Sequence, residues 1–205
     1  MIDSTYYTGT YYVAGLDSNS SGSNVLAELN ILITRYEKEF LQLLFGPSMY
    51  LEYVADTNTG ASIPATGKWH DLLEGIAAGY TDRQGQLQLW PGMLQTSPKI
   101  SAIAIYIYTK YLESKISNTS ISGEKQIVVE NANNVALTAK IVTNWNEMVE
   151  LNRAIDNYLV SQLSGSTYVW QNYIDYKNNR TYWDWNGPVY TRFKELFNFK
   201  NSLGF

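Results

Sequence analysis

The sequence predicts a mainly α-helical protein: a helical bundle with two long helices (about 24–45 and 134–164), a central helix 98–116 and several short helices. Three observations predict it. Apolar residues recur at three- and four-residue steps through both long segments, the periodicity of one helix face. A third run, "SPKISAIAIYIYTKYLESKIS", is apolar on most sides, which suits a helix contacted from several directions. Between these runs lie Ser-, Asn- and Gly-rich stretches, with extended or β-prone arms at the N-terminus, at 118–131 and in the C-terminal tail. The expected organisation is an N-terminal extended arm and linker (1–23), a helical core (24–165) with an inserted loop (118–133), and an aromatic C-terminal arm (166–205).

Taken in order, "STYYTGTYYVAGL" is β-prone but needs another sheet to join, and "DSNSSGSN" reads as a linker. Asn24 can cap the first long helix, whose face is Leu29, Leu32, Ile33, Tyr36, Phe40, Leu43 and Leu44. Gly46 can end it, and Pro47 suits the first turn of a short second helix, 47–56. "KWHDLLEGIAAGY" carries Trp69, Leu72, Leu73 and Ile76 at helical spacing and predicts a third helix. Residues 79–97 read as irregular, with Trp90 as a packing anchor. Ser97 before Pro98 is a cap-then-first-turn pattern, so the central helix is expected to begin there. Residues 117–134 read as a polar loop enclosing "QIVVE". From Asn134 to Leu163 the apolar stripe predicts a helix roughly 45 Å long, ended by Gly165. In the tail, Asn186-Gly187 signals a hairpin, while Pro188 suits the start of a short helix carrying Val189, Phe193, Leu196 and Phe197; both remain open.

Composition narrows the function. The 205 residues are 45% hydrophobic and 17% charged with a net charge of −4, a balance that argues against a general nucleic-acid binder. Cysteine is absent, which excludes disulfides, thiolate metal sites and a cysteine nucleophile. The first residues lack the basic and apolar regions of a secretory signal, and no run of 18 apolar residues suggests a membrane span, so a soluble protein with no membrane partner is expected. Tyrosine is abundant, 17 residues beside 6 Trp and 6 Phe. Its apolar face and polar tip suit half-wet contacts between subunits, and that reading is preferred over a simple core lining.

Chemistry is sparse, and no enzyme is expected. His70 is the sole histidine, and Asp71 is its neighbour in sequence; adjacent helical residues do not face each other, so a solvated or capping role is expected. No phosphate-binding loop, nucleophile elbow, metal-ligand spacing or cofactor motif occurs, so no catalytic or metal residue is assigned and no cofactor is expected. Tyr182, Trp183, Trp185 and Tyr190 form the best candidate ligand platform, since flat rings stack on sugars. A carbohydrate- or ligand-binding module is therefore the alternative to a structural role. The candidate subunit or partner interface comprises Tyr6, Tyr7, Tyr11 and Tyr12, then Ile127, Val128 and Val129, then Tyr182, Trp183, Trp185, Tyr190 and Phe193. Candidate core residues are Ile103, Ile107, Ile141, Trp145, Met148 and Ile155.

Four stretches carry a resemblance. "YEKEFLQLLFGPSMYLEY" at 36–53 is a helix ending in Leu-Leu-x-Gly before a short second helix; "KWHDLLEG" comes next at 68–75. "SPKISAIAIYIYTKYLESK" at 97–115 and "ENANNVALTAKIVTNWNEMVEL" at 130–151 complete the order. Together they resemble the head–tail connector (adaptor) proteins of tailed bacteriophages over roughly 25–163. The resemblance implies a structural virion protein of the phage neck, assembled in the host cytoplasm. It implies a homo-oligomeric ring of twelve copies that docks under the portal protein, offers tail proteins a platform, and lines a channel for DNA ejection without binding the DNA specifically. The Tyr-rich N-terminus and the aromatic tail lie outside the resemblance.

Overall fold

A computed structural model of the chain describes residues 1–16, 22–57, 63–82, 84–120, 123–126, 137–161, 170–178 and 194–200. The fold is mainly α, with a few short antiparallel strands. Helices α1 (Gly22–Asp56), α2 (Lys68–Glu74), α3 (Ala102–Ile116), α4 (Leu137–Ser161) and α5 (Gln171–Asn178) are interspersed with three two-stranded hairpins. These are β1 (Ile76–Thr81) with β2 (Leu87–Trp90), β3 (Gln95–Thr96) with β4 (Lys99–Ile100), and β5 (Ser117–Ser120) with β6 (Gly123–Gln126).

α3 is the centre of the molecule. Every residue from Ser101 to Thr109 is buried, because α1 and α4 pack on it from different sides. Its polar groups are satisfied locally: Thr109 Oγ1 donates to the Ile105 carbonyl at 2.9 Å, and Ser101 Oγ accepts from the Ile103 amide at 3.2 Å. The latter bond makes Ser101 the N-cap. The helix thus starts later than the sequence suggests: Thr96 and Lys99 pair across a tight turn whose Ser97-Pro98 peptide is cis, and Ser97 caps nothing helical.

α4 presents Ile141, Trp145, Met148, Val149, Ile155, Tyr158 and Leu159 to the core at helical spacing. Its 25 described residues span about 37 Å. Polar α4 side chains clasp the segment 194–200. Asn152 Nδ2 donates to the Leu196 carbonyl at 2.9 Å, Trp145 Nε1 to Asn198 at 3.0 Å, and Asn146 exchanges two bonds with Lys200 at 2.8 and 3.0 Å. Part of the expected C-terminal arm is therefore fastened to its own chain.

α1 is broken at Gly46 (φ 75°, ψ 167°), separating the two helical segments expected on either side of Gly46-Pro47. Pro47 has no N–H, so the Leu43 carbonyl lacks its usual i+4 donor. The Tyr176 hydroxyl of α5 replaces it at 3.1 Å. The ring reaches there because Gly46 has no side chain; a Cβ would lie 2.4 Å from Tyr176 Cγ.

The expected helix over 68–80 stops at Glu74, and the chain beyond Gly75 runs on as a strand. Gly75 adopts φ 93°, and a Cβ on it would meet the Trp90 carbonyl oxygen and the Pro91 carbonyl carbon at 2.6 Å. This close backbone approach lets the chain beyond Trp90 cap α2: Met93 and Leu94 amides donate to the Leu72 and Leu73 carbonyls at 3.1 and 2.8 Å, and Trp90 Nε1 to Asp71 at 2.9 Å. Residues 76–90, expected to be part helix and part irregular, instead form the β1–β2 hairpin.

Candidate interaction surfaces

The N-terminal tyrosines do not form an extended arm. Residues 1–16 fold into two 3₁₀ turns, Ser4–Tyr6 and Gly9–Tyr11, and lie on the core. Asp3 caps the first turn by accepting from the Thr5 amide at 2.9 Å, and the Ile2 amide donates to Glu37 of α1 at 2.9 Å. Tyr6, Tyr7 and Tyr11 are buried, with Tyr11 edge-on to Tyr108 of α3 at 5.7 Å. Burial raises the Tyr7 and Tyr11 hydroxyls well above the ordinary phenol range. These three side chains thus face their own chain; the physical reason is that local turns bend the segment back onto an apolar surface large enough to bury them. Tyr12 alone of the four is exposed, at 48%. Its carbonyl accepts from Tyr108 at 3.2 Å.

Ile127, Val128, Val129, Tyr182, Trp183, Trp185, Tyr190 and Phe193 lie outside the described residues, and so does the candidate sugar platform. Ile103, Ile107, Ile141, Trp145, Met148 and Ile155 are all buried in the single main core.

Reactive groups do not converge among the described residues. His70 Nδ1 does approach Asp71 Oδ1, at 3.3 Å, despite their adjacency on α2, and both side chains are partly exposed. Among the described residues no cluster of His, Asp or Glu is placed to hold a metal ion, and no helix is long and apolar enough to cross a membrane. A polar cleft beside Tyr80, Asp82, Gln88 and Ser161 contains Asp156, but that carboxylate is engaged by Lys177 at 2.6 Å and by Tyr173 at 2.7 Å.

Two surfaces do stand out. On the β1–β2 hairpin, side chains alternate between faces. Trp90 stacks on Tyr158 of α4 at 4.5 Å, with the planes 7° apart, and Tyr80 meets Tyr158 edge-on at 5.1 Å. The opposite face carries Leu87 and Leu89, 70% and 80% exposed. The turn is stiffened by Asp82, whose carboxylate accepts from the Gln84 and Gln86 amides at 2.9 and 2.8 Å and from Gln88 Nε2 at 2.9 Å. Those bonds, that from the Gln86 amide foremost, hold its carboxyl below the usual carboxylate range. The second surface is a groove of about 270 Å³ between the N-terminal turns and the start of α1, lined by Thr5, Tyr7, Tyr12, Leu16 and Leu26 among others.

Sequence reasoning passed over Leu87, Leu89 and Asp82. The alternation in "QLQLW" is a strand signal, but Trp90 alone of the five is buried, and both leucines are exposed along with both glutamines. No family model, curated protein or solved structure matches this chain.

Proposed function

We propose that this chain is a structural virion protein, a head–tail connector subunit that assembles as a ring beneath a phage portal and links capsid to tail. One observation supports the reading above others: the β1–β2 hairpin turns two leucines, 70% and 80% exposed, away from the body of a protein whose described residues hold no assembled catalytic group. Exposed paired apolar residues on a short sheet mark a contact surface and not a reaction centre. The helical stack α1–α3–α4 supplies a stiff wedge, with hairpins β1–β2 and β5–β6 available to neighbouring subunits. A net charge of −4 suits a conduit that DNA must traverse without being held. The portal above and tail proteins below are the partners.

The test is mass photometry of the purified chain over a concentration series, alone and with a portal assembly, together with counting of the chain against portal protein in purified particles. A uniform closed ring and a ratio near that of portal subunits are expected. A monomer at every concentration that does not bind the portal, and is missing from particles, overturns the proposal.

A further inference from the structure

We infer that the outer face of the β1–β2 hairpin of one copy seats in the groove between the N-terminal turns and α1 of a second copy. This names the contact surfaces of the ring and rests on the assembly reading above.

The apolar content matches on the two sides. Leu87 and Leu89 are two residues apart on one strand, so they project together, while Trp90 on the other face stacks on Tyr158. None of the described residues lining the groove is charged, and its rim offers Tyr12 and Leu26, 48% and 37% exposed. The remaining exposed aliphatic residues of α1, Ile31 and Leu51, lie twenty positions apart and form no comparable pair.

Charge then selects the pairing. Asp82 sits at the turn, next to Thr81, the cross-strand partner of Leu87. Lys99 sits at the groove, hydrogen-bonded to Thr5 and 5.4 Å from the centre of the Tyr6 ring. Among the described residues neither Asp82 nor Lys99 forms an ion pair, while Asp3, bonded to the same Thr5 as Lys99, lies near enough to feel the Lys99 charge. Hairpin against groove brings these opposite charges to the same contact. Hairpin against hairpin, the two-fold alternative, would instead set Asp82 near its own copy, with like charges opposed.

Placement makes the contact intermolecular. The Lys115–Glu28 ion pair, at 2.8 Å, puts the start of α1 and Leu26 near the C-terminal end of α3. Trp90 shares a small pocket with Ile100 and Ala102 at the other end of α3. The 15 residues of α3 separate the two ends by roughly 22 Å. The root of the hairpin at Trp90 and the Leu26 rim of the groove therefore lie near opposite ends of α3 in one copy. Two different surfaces in contact give a head-to-tail arrangement, which propagates and closes when the rotation per subunit divides a full turn.

The chain has no cysteine, so Leu89→Cys and Tyr12→Cys each introduce a sole thiol. Both positions are exposed, and circular dichroism checks that each variant keeps its helices. The two variants are mixed and treated with a short bis-maleimide, and each is also treated alone. A cross-linked dimer in the mixture and not in either variant alone is the expected result. Leu87→Asp is expected to weaken self-association about 10- to 150-fold, the worth of burying one leucine, without loss of helix. Leu89→Cys cross-linking to itself, or a mixture that stays uncross-linked while the unmodified chain assembles, overturns the inference and leaves the connector reading standing. Cross-linking within open chains that never close removes the connector ring but keeps the contact. An unmodified chain that stays monomeric with no cross-link removes both.

Discussion

Gly46→Ala is the most informative single change to the fold, because three features meet at that residue. Its φ of 75° and ψ of 167° fall in a region essentially reserved for glycine, where another residue costs about 1–3 kcal/mol. The new methyl carbon would lie 2.4–2.7 Å from three ring carbons of Tyr176, so the ring must leave. With it goes the hydroxyl that satisfies the Leu43 carbonyl at 3.1 Å, and an unsatisfied buried acceptor costs about 1–3 kcal/mol more. The expected loss is about 2–6 kcal/mol, a large part of a typical domain's 5–15 kcal/mol. For a chain of 205 residues this lowers Tm by roughly 4–24 °C. Urea unfolding monitored by far-UV circular dichroism measures it. The informative comparison is a double-mutant cycle with Tyr176→Ala. In the background lacking the ring, Gly46→Ala should cost about 1–3 kcal/mol, the backbone part alone. A full-background cost below about 1 kcal/mol, or an equal cost in both backgrounds, would refute the account of the α1 break.

Two further outcomes concern the core. Trp145→Ala should cost about 3–5 kcal/mol in the same urea assay, since the side chain is 5% exposed and its Nε1 holds the Asn198 carbonyl at 3.0 Å; a loss under about 1 kcal/mol would show that it is not a core residue. Alkaline pH should unfold the protein. Burial raises Tyr7 and Tyr173, and pushes Tyr53 and Tyr176 up to about 12, so the unfolded chain loses these protons first as pH passes about 10. Stability is intact below about pH 10 and falls above it, with Tyr7 and Tyr173 alone removing roughly 3 kcal/mol per pH unit. Phenolate absorbance and circular dichroism recorded together should show these tyrosines ionising with loss of helix; complete ionisation near pH 10 with helix retained would contradict their burial.

The parts of the fold legible in the sequence are those decided by local periodicity. The three-, four- and seven-residue steps of Ile141, Trp145, Met148, Ile155 and Leu159 mark the inward face of α4 whatever lies opposite. The all-round apolar character of 102–109 announces α3 as central. The parts that escaped are decided by distant partners. Nothing local to Ser97-Pro98 reveals that Thr96 and Lys99 pair, or that Ser101 has the better-placed hydroxyl. Ile76 continues the helical spacing of Trp69, Leu72 and Leu73, and only the approach of Pro91 to Gly75 diverts the chain into a strand. The N-terminal arm escaped for the same reason: the groups that hold Ile2 and frame Tyr11, Glu37 on α1 and Tyr108 on α3, are 35 and 97 positions away. Of the candidate contact surface, Tyr12 was visible in advance; Leu87 and Leu89 were not, because a strand is normally read with its leucines inward.

The tyrosines take on a different role once their hydroxyls are traced. Tyr106 donates to Glu39 at 2.8 Å, Tyr108 to the Tyr12 carbonyl at 3.2 Å, Tyr173 to Asp156 at 2.7 Å and Tyr176 to the Leu43 carbonyl at 3.1 Å. Each of these bonds joins one segment of the chain to another. A ring that buries its face in the core and donates at its far edge suits this task, because it contributes apolar area without leaving a polar group unsatisfied. These four tyrosines thus fasten helices and terminal segments together, and the described rings are turned largely inward. If they are engaged inside the subunit, they are not what one subunit offers another. In the proposed ring that role passes to side chains that no described residue of their own chain buries, and Leu87 and Leu89 on the stiff Asp82 turn meet that condition. A pre-ordered hairpin with two projecting leucines also loses little freedom on docking, whereas a free aromatic arm would have to be ordered at the moment of assembly. Assembly through the hairpin should therefore be insensitive to changes at Tyr11, which lies outside the groove lining, that leave the fold intact, and lost on changes at Leu87 that leave it equally intact.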